Sequence, residues 1–242
     1  MTGASKGIGQ ACARAFARAG AAVVVHYKTD AAGAGDVVRE AEASGTRAAA
    51  IGADLSVWEE GEELVAQSEA AIGPLDIVVL NHGIWKGAAI DAMTAGEYDE
   101  MQASNLRGVF SVAGAAARRM KERRSGRLVL VASTAGQRGE ALHSHYAATK
   151  GAIISLTKSL AAELAPWGVL VNCVAPGWVG TPMTKESLKD PVTAAEILRT
   201  IPLGRVGTPE EIAAPVLFLA GAGATFMTGE ILNVNGGAVL VG

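Results

Sequence analysis

The sequence predicts an α/β fold, a doubly wound parallel sheet in a single domain over residues 1–242. Short aliphatic runs alternate with helix-like segments along the whole chain. A glycine-rich turn, Thr2-Gly3-Ala4-Ser5-Lys6-Gly7-Ile8-Gly9, lies directly ahead of an alanine-rich helix. Half the residues are hydrophobic, only 19% are charged and 30 are glycine, which suits strands buried on both faces and joined by tight turns.

The elements follow in order. Residues 8–19 read as a helix because alanine dominates them. Residues 22–27 are a strand, and a helix over 30–44 precedes a strand at 47–51 and a helix over 57–71. The turn Gly73-Pro74 introduces the strand Ile77-Val78-Val79-Leu80. A long helix is expected over 97–124, then a strand at 128–132 and a helix over 144–165 that stops near Pro166. Strands at 169–174 and 231–234 complete the pattern. Such alternation requires right-handed crossovers, and ligands then bind beyond the carboxyl ends of the strands. Thr2-Gly3, Asn81, Ser133 and Pro176-Gly177 all fall at that edge.

Composition narrows the function. A net charge of −3 gives no reason to expect nucleic acid or an anionic membrane as partner. No apolar run is long enough to span a membrane, and no stretch reads as a secretory signal. The two cysteines, Cys12 and Cys173, read as buried thiols, so the expected compartment is the reducing cytoplasm. No spacing of His, Cys or carboxylates suggests a metal site.

Chemistry is suggested by Tyr146 and Lys150, which share a helix face at i and i+4, with Ser133 upstream. A free phenol titrates near pH ~10, and a neighbouring cation is expected to move it toward the working range. A serine hydroxyl aimed at the same point can hold a carbonyl oxygen. Tyr-x-x-x-Lys alone also arises on ordinary amphipathic helices, with the lysine in solvent. The glycine turn adds weight: its backbone permits close approach, and the following helix offers unpaired N–H groups to a pyrophosphate. Its spacing is Gly-x-x-x-Gly-x-Gly rather than the common Gly-x-Gly-x-x-Gly.

Together these residues resemble the short-chain dehydrogenase/reductase family, in its single-domain branch, from Thr2 to about Gly237. The resemblance rests on the 2–9 turn, Asp54-Leu55, Asn81-x-Gly83, Asn105, Ser133, Tyr146 and Lys150. It continues through Asn172, Pro176-Gly177 with Val179 and Thr181, and Asn235-Gly236-Gly237. It implies a Rossmann-type sheet, a nicotinamide coenzyme and a ketone–alcohol interconversion resembling that of 3-oxoacyl reductases. Catalytic roles are implied for Asn105, Ser133, Tyr146 and Lys150, with Asn105 tying a water to Lys150. Coenzyme contacts are implied for Gly3, Ser5, Lys6, Ile8 and Gly9 at the turn. Further along, Asp54 and Leu55 would hold the adenine edge, and Asn81 and Gly83 the adenosine ribose. Pro176, Gly177, Val179 and Thr181 would orient the nicotinamide, and Tyr146 and Lys150 its ribose. Family members begin with an apolar strand that is central to the sheet, whereas here Met1 immediately precedes Thr2. That strand is therefore expected to be missing or truncated, with about six to ten further residues upstream in the working protein.

The second strand ends in His26-Tyr27-Lys28, with no acid to bind a ribose diol. Lys28 and Lys6 can instead meet a 2′-phosphate, so NADP is expected in preference to NAD; the alternative is two solvated surface lysines. Residues 183–209 form the expected substrate flap. Candidate substrate contacts are Trp85, Gln137, Arg138, His143, Trp178 and Met183. Arg138 reads equally as a solvated arginine, and His143 as part of the helix start. Trp167 stands where carrier-protein reductases often have a basic residue, which counts against an acyl-carrier partner. The main alternative is a sugar or polyol dehydrogenase of the same family. Another class is a dinucleotide-binding sensor or scaffold without turnover, which the complete Asn, Ser, Tyr and Lys set disfavours. Assembly as a homotetramer or homodimer is what the resemblance implies.

Overall fold

The computed structural model describes residues 1–240. Its six strands are β1 (Val23–Tyr27), β2 (Ala48–Gly52), β3 (Ile77–Leu80), β4 (Gly126–Val131), β5 (Val169–Pro176) and β6 (Ile231–Val234). All pairings are parallel, and the strands form two ladders, β1-β2 and β3-β4-β5-β6. Between them lies the segment Met1–Ala4. Its backbone bonds β1 through His26 N to Met1 O at 3.0 Å and Ala4 N to His26 O at 2.8 Å. It bonds β3 through Thr2 N to Val79 O at 3.0 Å. The lateral order is therefore β2, β1, Met1–Ala4, β3, β4, β5, β6, a Rossmann-type arrangement.

The helices are α1 (Gly7–Arg18), α2 (Ala31–Ala43), α3 (Trp58–Ile72), α4 (Ala95–Gln102), α5 (Gly108–Arg123), α6 (Thr134–Arg138) and α7 (Ser144–Leu164). Three more follow: α8 (Lys185–Lys189), α9 (Pro191–Arg199) and α10 (Pro209–Ala220). On one face α1, α2 and α10 bury Phe16, Val37, Ile212, Val216 and Leu219 against Val25, Val129 and Val174. On the other, α3, α5 and α7 bury Leu64, Val112, Met120 and Ile153 against Val78, Leu128 and Val171. Each large side chain buried this way contributes about 1.5–3 kcal/mol, so both faces fix the sheet.

Three details differ from expectation. The helix expected over 97–124 is interrupted by a π-helical segment, Ala103–Arg107, which carries Asn105. Such wide turns cluster at functional positions. Helix α6 has too few residues to show a hydrophobic period. Helix α10 contains Pro215, which masks a helical reading, although Thr208 and Glu211 form a capping box at its start. Helices α8 and α9 lie within the 183–209 flap.

Two contacts place the site. A Cβ on Gly136 would lie 2.5 Å from the carbonyl carbon of Lys150 and 2.6 Å from Gly151 N, so glycine lets α6 press directly on the α7 backbone. Gly3 lies at φ +60, a conformation that favours glycine, with its N–H donating to His26 Nδ1 at 2.9 Å. His26 Nε2 in turn meets Ala53 O at 3.1 Å. The His82 ring bonds Thr2 Oγ1 through Nδ1 at 2.8 Å. Burial pushes His26 down to about 4 and His82 to about 3.

Gly136→Ala is expected to destabilise the protein by about 1–3 kcal/mol, a fall of ~2–4 °C per kcal/mol in Tm, because the added methyl meets rigid backbone. Calorimetry checks this, and an unchanged Tm contradicts it. The two histidines set the acid limit. Their folded values lie below the ordinary 6.5, so the unfolded chain binds protons that the fold refuses. Their contribution is complete above about pH 6.5 and is lost as pH falls toward 4 and then 3. Tm measured against pH should drop across that window, and His82→Asn should flatten the slope.

Candidate active site

A cavity of about 660 Å³ opens along the carboxyl ends of β1, β3, β4 and β5. Tyr146 and Lys150 line it from the first turns of α7, and Ser133 lines it from the N-cap of α6. The Ser133 Oγ accepts the Ala135 N–H at 3.1 Å, and its hydroxyl lies within hydrogen-bond reach of the Tyr146 phenol. The phenol packs among Met101 and Ala135, with Ile84 and Trp85 beside it. Lys150 is buried, and its Nζ donates to Val131 O at 3.0 Å and lies 5.8 Å from the centre of the Tyr146 ring.

The electrostatics correct one expectation. Burial pushes the Tyr146 phenol up to about 12; the Ser133 hydroxyl opposes this, and the Glu140 charge adds to it. Burial also pushes the Lys150 ammonium down, to about 8. Desolvation of the buried phenol dominates, so the free protein holds Tyr146 protonated at neutral pH. That is the form able to give a proton to a carbonyl oxygen.

At the far end of the cavity, Gly3, Ser5, Lys6 and Ile8 line the wall where α1 begins. Lys6 is the N-cap of α1 and provides no side-chain cap, so the first-turn N–H groups remain available to an anion. Gly9 lies behind this wall rather than on it. A Cβ there would meet Gly3 O at 2.2 Å and Asn81 Nδ2 at 2.6 Å, so Gly9 lets the helix close on the turn. Asn81 Nδ2 donates to Gly3 O at 3.0 Å and to Thr2 O at 3.3 Å. Gly83, Leu55 and Asp54 also line the cavity. Lys28 Nζ pairs with Asp54 Oδ2 at 2.8 Å, and Asp54 Oδ1 accepts from Ser56 N and Oγ at 3.0 and 2.7 Å. Burial raises the Asp54 carboxyl, but the Lys28 and Ser56 bonds outweigh it and hold it at about 2. Pro176, Gly177, Val179 and Thr181 line the opposite wall. Gly207, at the end of the flap, is tied there by its N–H to Trp178 O at 2.9 Å and by Gly180 N to its own carbonyl at 2.9 Å.

A wall that combines an uncapped helix start, two lysines and a glycine turn fits a dinucleotide along the length of this cavity. Cavities of this size commonly hold such ligands. Among the described residues, no group of three His, Cys, Asp or Glu could hold a metal ion, and no helix is long and apolar enough to cross a membrane. Cys12 and Cys173 are buried free thiols.

Four residues stand outside the cavity lining. Asn105 is fully buried: its Oδ1 accepts from Ile84 N at 2.7 Å, and its Nδ2 donates to Ile84 O at 2.9 Å and reaches Thr149 Oγ1 at 3.4 Å. It clamps the loop after β3 to α7, with no direct bond to Lys150 among the described residues. Gly9 serves packing, as above. Gln137 turns away, donating to Asn233 Oδ1 at 2.6 Å. His143 stacks on Trp85 with ring centres 4.5 Å apart and planes 5° from parallel, so it backs the wall instead of facing the cavity. Trp85, Arg138, Trp178 and Met183 do line the cavity. Glu140 does so as well, which the sequence reading missed. It is the sole acid between Ser133 and Tyr146, and that isolation was its one signal.

A family model described as enoyl-(acyl carrier protein) reductase matches residues 3–239. L-rhamnose 1-dehydrogenase (NAD(P)(+)) of Azotobacter vinelandii is 41% identical over 241 residues, 98% of this chain and 94% of that one. The 3-oxoacyl-[acyl-carrier-protein] reductase of Synechocystis is 38% identical over 241 residues, covering 99% and 96%. A solved structure from Beutenbergia cavernae, provisionally described as an NAD(P) dependent gluconate 5-dehydrogenase with NADP bound at low occupancy, superposes with a TM-score of 0.93. It is 38% identical, with 98% of this chain and 94% of that one covered. Family model, relatives and fold agree, and they exclude the non-catalytic scaffold: this chain is an oxidoreductase that belongs to the short-chain dehydrogenase/reductase family.

Proposed function

We propose that the chain interconverts a ketone and a secondary alcohol with NADP(H), in preference to NAD(H), through Tyr146 as the proton-transfer group. The observation that carries this reading is the meeting of a protonated, buried phenol, a serine hydroxyl beside it and a buried lysine on one wall of the cavity. Ser133 donates to the substrate oxygen and fixes it beside the phenol. In reduction Tyr146 delivers its proton to that oxygen, and in oxidation it takes the proton back. Lys150 keeps positive charge beneath the ring and, with Tyr146, would hold the nicotinamide ribose. Asn105 acts through the loop after β3, keeping Ile84 and α7 in register. The coenzyme, when bound, supplies hydride chemistry at the carbon.

The turn residues Gly3, Ser5, Lys6 and Ile8 would hold the pyrophosphate, with Gly9 keeping the turn closed. Asp54, Leu55, Asn81 and Gly83 would hold the adenosine. Pro176, Gly177, Val179 and Thr181 would hold the nicotinamide. Lys28 supports NADP: it stands where an acid would repel a 2′-phosphate. Its bond to Asp54 uses one of three ammonium hydrogens while the side chain stays 55% exposed. The bound NADP of the Beutenbergia cavernae structure and the NAD(P)(+) of the rhamnose enzyme are compatible with that preference. The named activities of the Synechocystis 3-oxoacyl-[acyl-carrier-protein] reductase and the Azotobacter vinelandii L-rhamnose 1-dehydrogenase both fit this chemistry. A homotetramer or homodimer in the cytoplasm completes the proposal.

The test follows absorbance of the reduced nicotinamide with a panel of ketones, in wild type and Tyr146→Phe. Wild type should turn over with a higher kcat/KM for NADPH than for NADH. The variant should lose about 10²–10⁴-fold in kcat, the usual worth of a positioned proton donor, with coenzyme Kd nearly unchanged. Near-normal turnover in the variant would remove Tyr146 from the reaction.

A further inference from the structure

Glu140 is the acid whose charge bears on the proposed proton donor, and the fold holds it in place. The Trp85 indole N–H donates to its Oε1 at 3.2 Å, while Oε2 has no hydrogen-bond partner among the described residues. Trp85 is itself fixed, stacked on His143 on one side and meeting Trp178 edge-on, with ring centres 5.7 Å apart and planes at 87°. The loops carrying these groups are joined by Ala88 N donating to Leu142 O at 2.7 Å. Leu142 lies at φ +62, a conformation a leucine keeps only when its surroundings impose it. The carboxylate is thus pre-oriented, with one oxygen tied and one free, and it is partly shielded, its side chain 22% exposed.

Its electrostatic neighbourhood supports a role toward substrate. The Glu140 charge reaches the phenol, where it raises the proton affinity of Tyr146. Lys86, on the same cavity edge, is taken up by Glu100 at 2.7 Å. His143 Nδ1 stands 3.7 Å from Glu140, and its ring belongs to the Trp85 stack. Arg138 is exposed at the rim. A free carboxylate oxygen beside the Trp85 indole, with Trp178 on the same cavity wall, suits a particular ligand chemistry. Indole rings cover the apolar C–H faces of a sugar or polyol, and the carboxylate accepts its hydroxyl hydrogens in strong charge-assisted bonds. An acyl chain offers no hydrogen to that oxygen, and an anionic group beside the reacting carbon meets like charge.

We propose that Glu140 is the specificity-determining residue of this cavity, accepting a hydroxyl of a neutral sugar or polyol while Trp85 and Trp178 pack against its carbon skeleton. This rests on the ketone–alcohol reading given above. Glu140 binds and orients; it takes no proton from the reacting carbon's oxygen, which remains with Tyr146.

The test compares wild type, Glu140→Gln, Glu140→Ala and Arg138→Ala on neutral aldoses and polyols, acetoacetyl-CoA and a small 2-keto acid, each with both coenzymes. Wild type should favour the neutral polyhydroxy compounds. Glu140→Ala should lower their kcat/KM by about 10- to 100-fold, the loss of one hydrogen bond to a charged group, mostly in KM. Glu140→Gln should recover part of that loss, since its amide oxygen still accepts. Both variants should also move to lower pH the limb of the rate profile that Tyr146 sets, the acid limb in polyol oxidation and the alkaline limb in ketone reduction, which a merely structural residue would not do. Coenzyme Kd reports that the variants are folded. Unchanged sugar kcat/KM in Glu140→Ala overturns the proposal. So does a wild-type preference for acetoacetyl-CoA, or for the keto acid in a manner abolished by Arg138→Ala; both leave the oxidoreductase reading standing. Wild type inert toward every substrate with either coenzyme would overturn that reading first, and this one with it.

Discussion

The approach of α6 to α7 at Gly136 is the constraint on which the site depends. Ser133 belongs to the start of α6, and Tyr146 and Lys150 to the start of α7. Nothing in the chain between them would bring a serine hydroxyl and a phenol to one point unless the two helices touched backbone to backbone. A side chain at 136 would sit inside the Lys150 carbonyl, so the absence of a Cβ sets the spacing. β4 and β5 anchor the other end of the same unit: Lys150 reaches back to Val131 O, and Ala132 N bonds Val174 O at 2.9 Å. The reactive groups are fixed by rigid elements rather than by loops, which keeps their geometry precise.

Burial then decides the chemistry. It favours the neutral form of every titratable group, so it raises the phenol and lowers the ammonium together. A phenol that keeps its proton at neutrality is prepared to give it away once a carbonyl oxygen acquires negative charge. Oxidation of an alcohol needs the opposite form and gains as pH rises. Glu140 reinforces this bias by adding negative charge near the ring. The far end of the cavity follows another logic: Lys28 pairs with Asp54 there yet stays exposed, and the helix start adds its own attraction for phosphate.

Much of this was legible in the sequence, for identifiable reasons. The strands Val23–Tyr27 and Ile77–Leu80 are short, apolar and bounded by turns, so they stand out. Tyr146, Lys150 and Ser133 were readable because i, i+4 spacing carries its own geometry. Other features depend on tertiary contact and leave no local trace. Gln137 and His143 flank the right loop, but Asn233 and Trp85 claim their side chains. Asn105 stood out by its place in the sequence pattern, yet only packing shows that its bonds go to the Ile84 backbone. The upward shift of the phenol was likewise hidden, because sequence gives the neighbouring cation and not the extent of burial. Glu140 was overlooked for a related reason: a lone acid in a loop is usually solvated, and only Trp85 holds it inward.

The most direct measurement is a crystal structure of the protein with NADP and a ketone or ketone-like inhibitor bound. The predicted result has the ligand oxygen within about 2.6–3.2 Å of both Tyr146 Oη and Ser133 Oγ, with the nicotinamide beside Val179 and Thr181. A ligand oxygen bound elsewhere in the cavity, or a coenzyme that leaves the phenol out of reach of its nicotinamide, would contradict it.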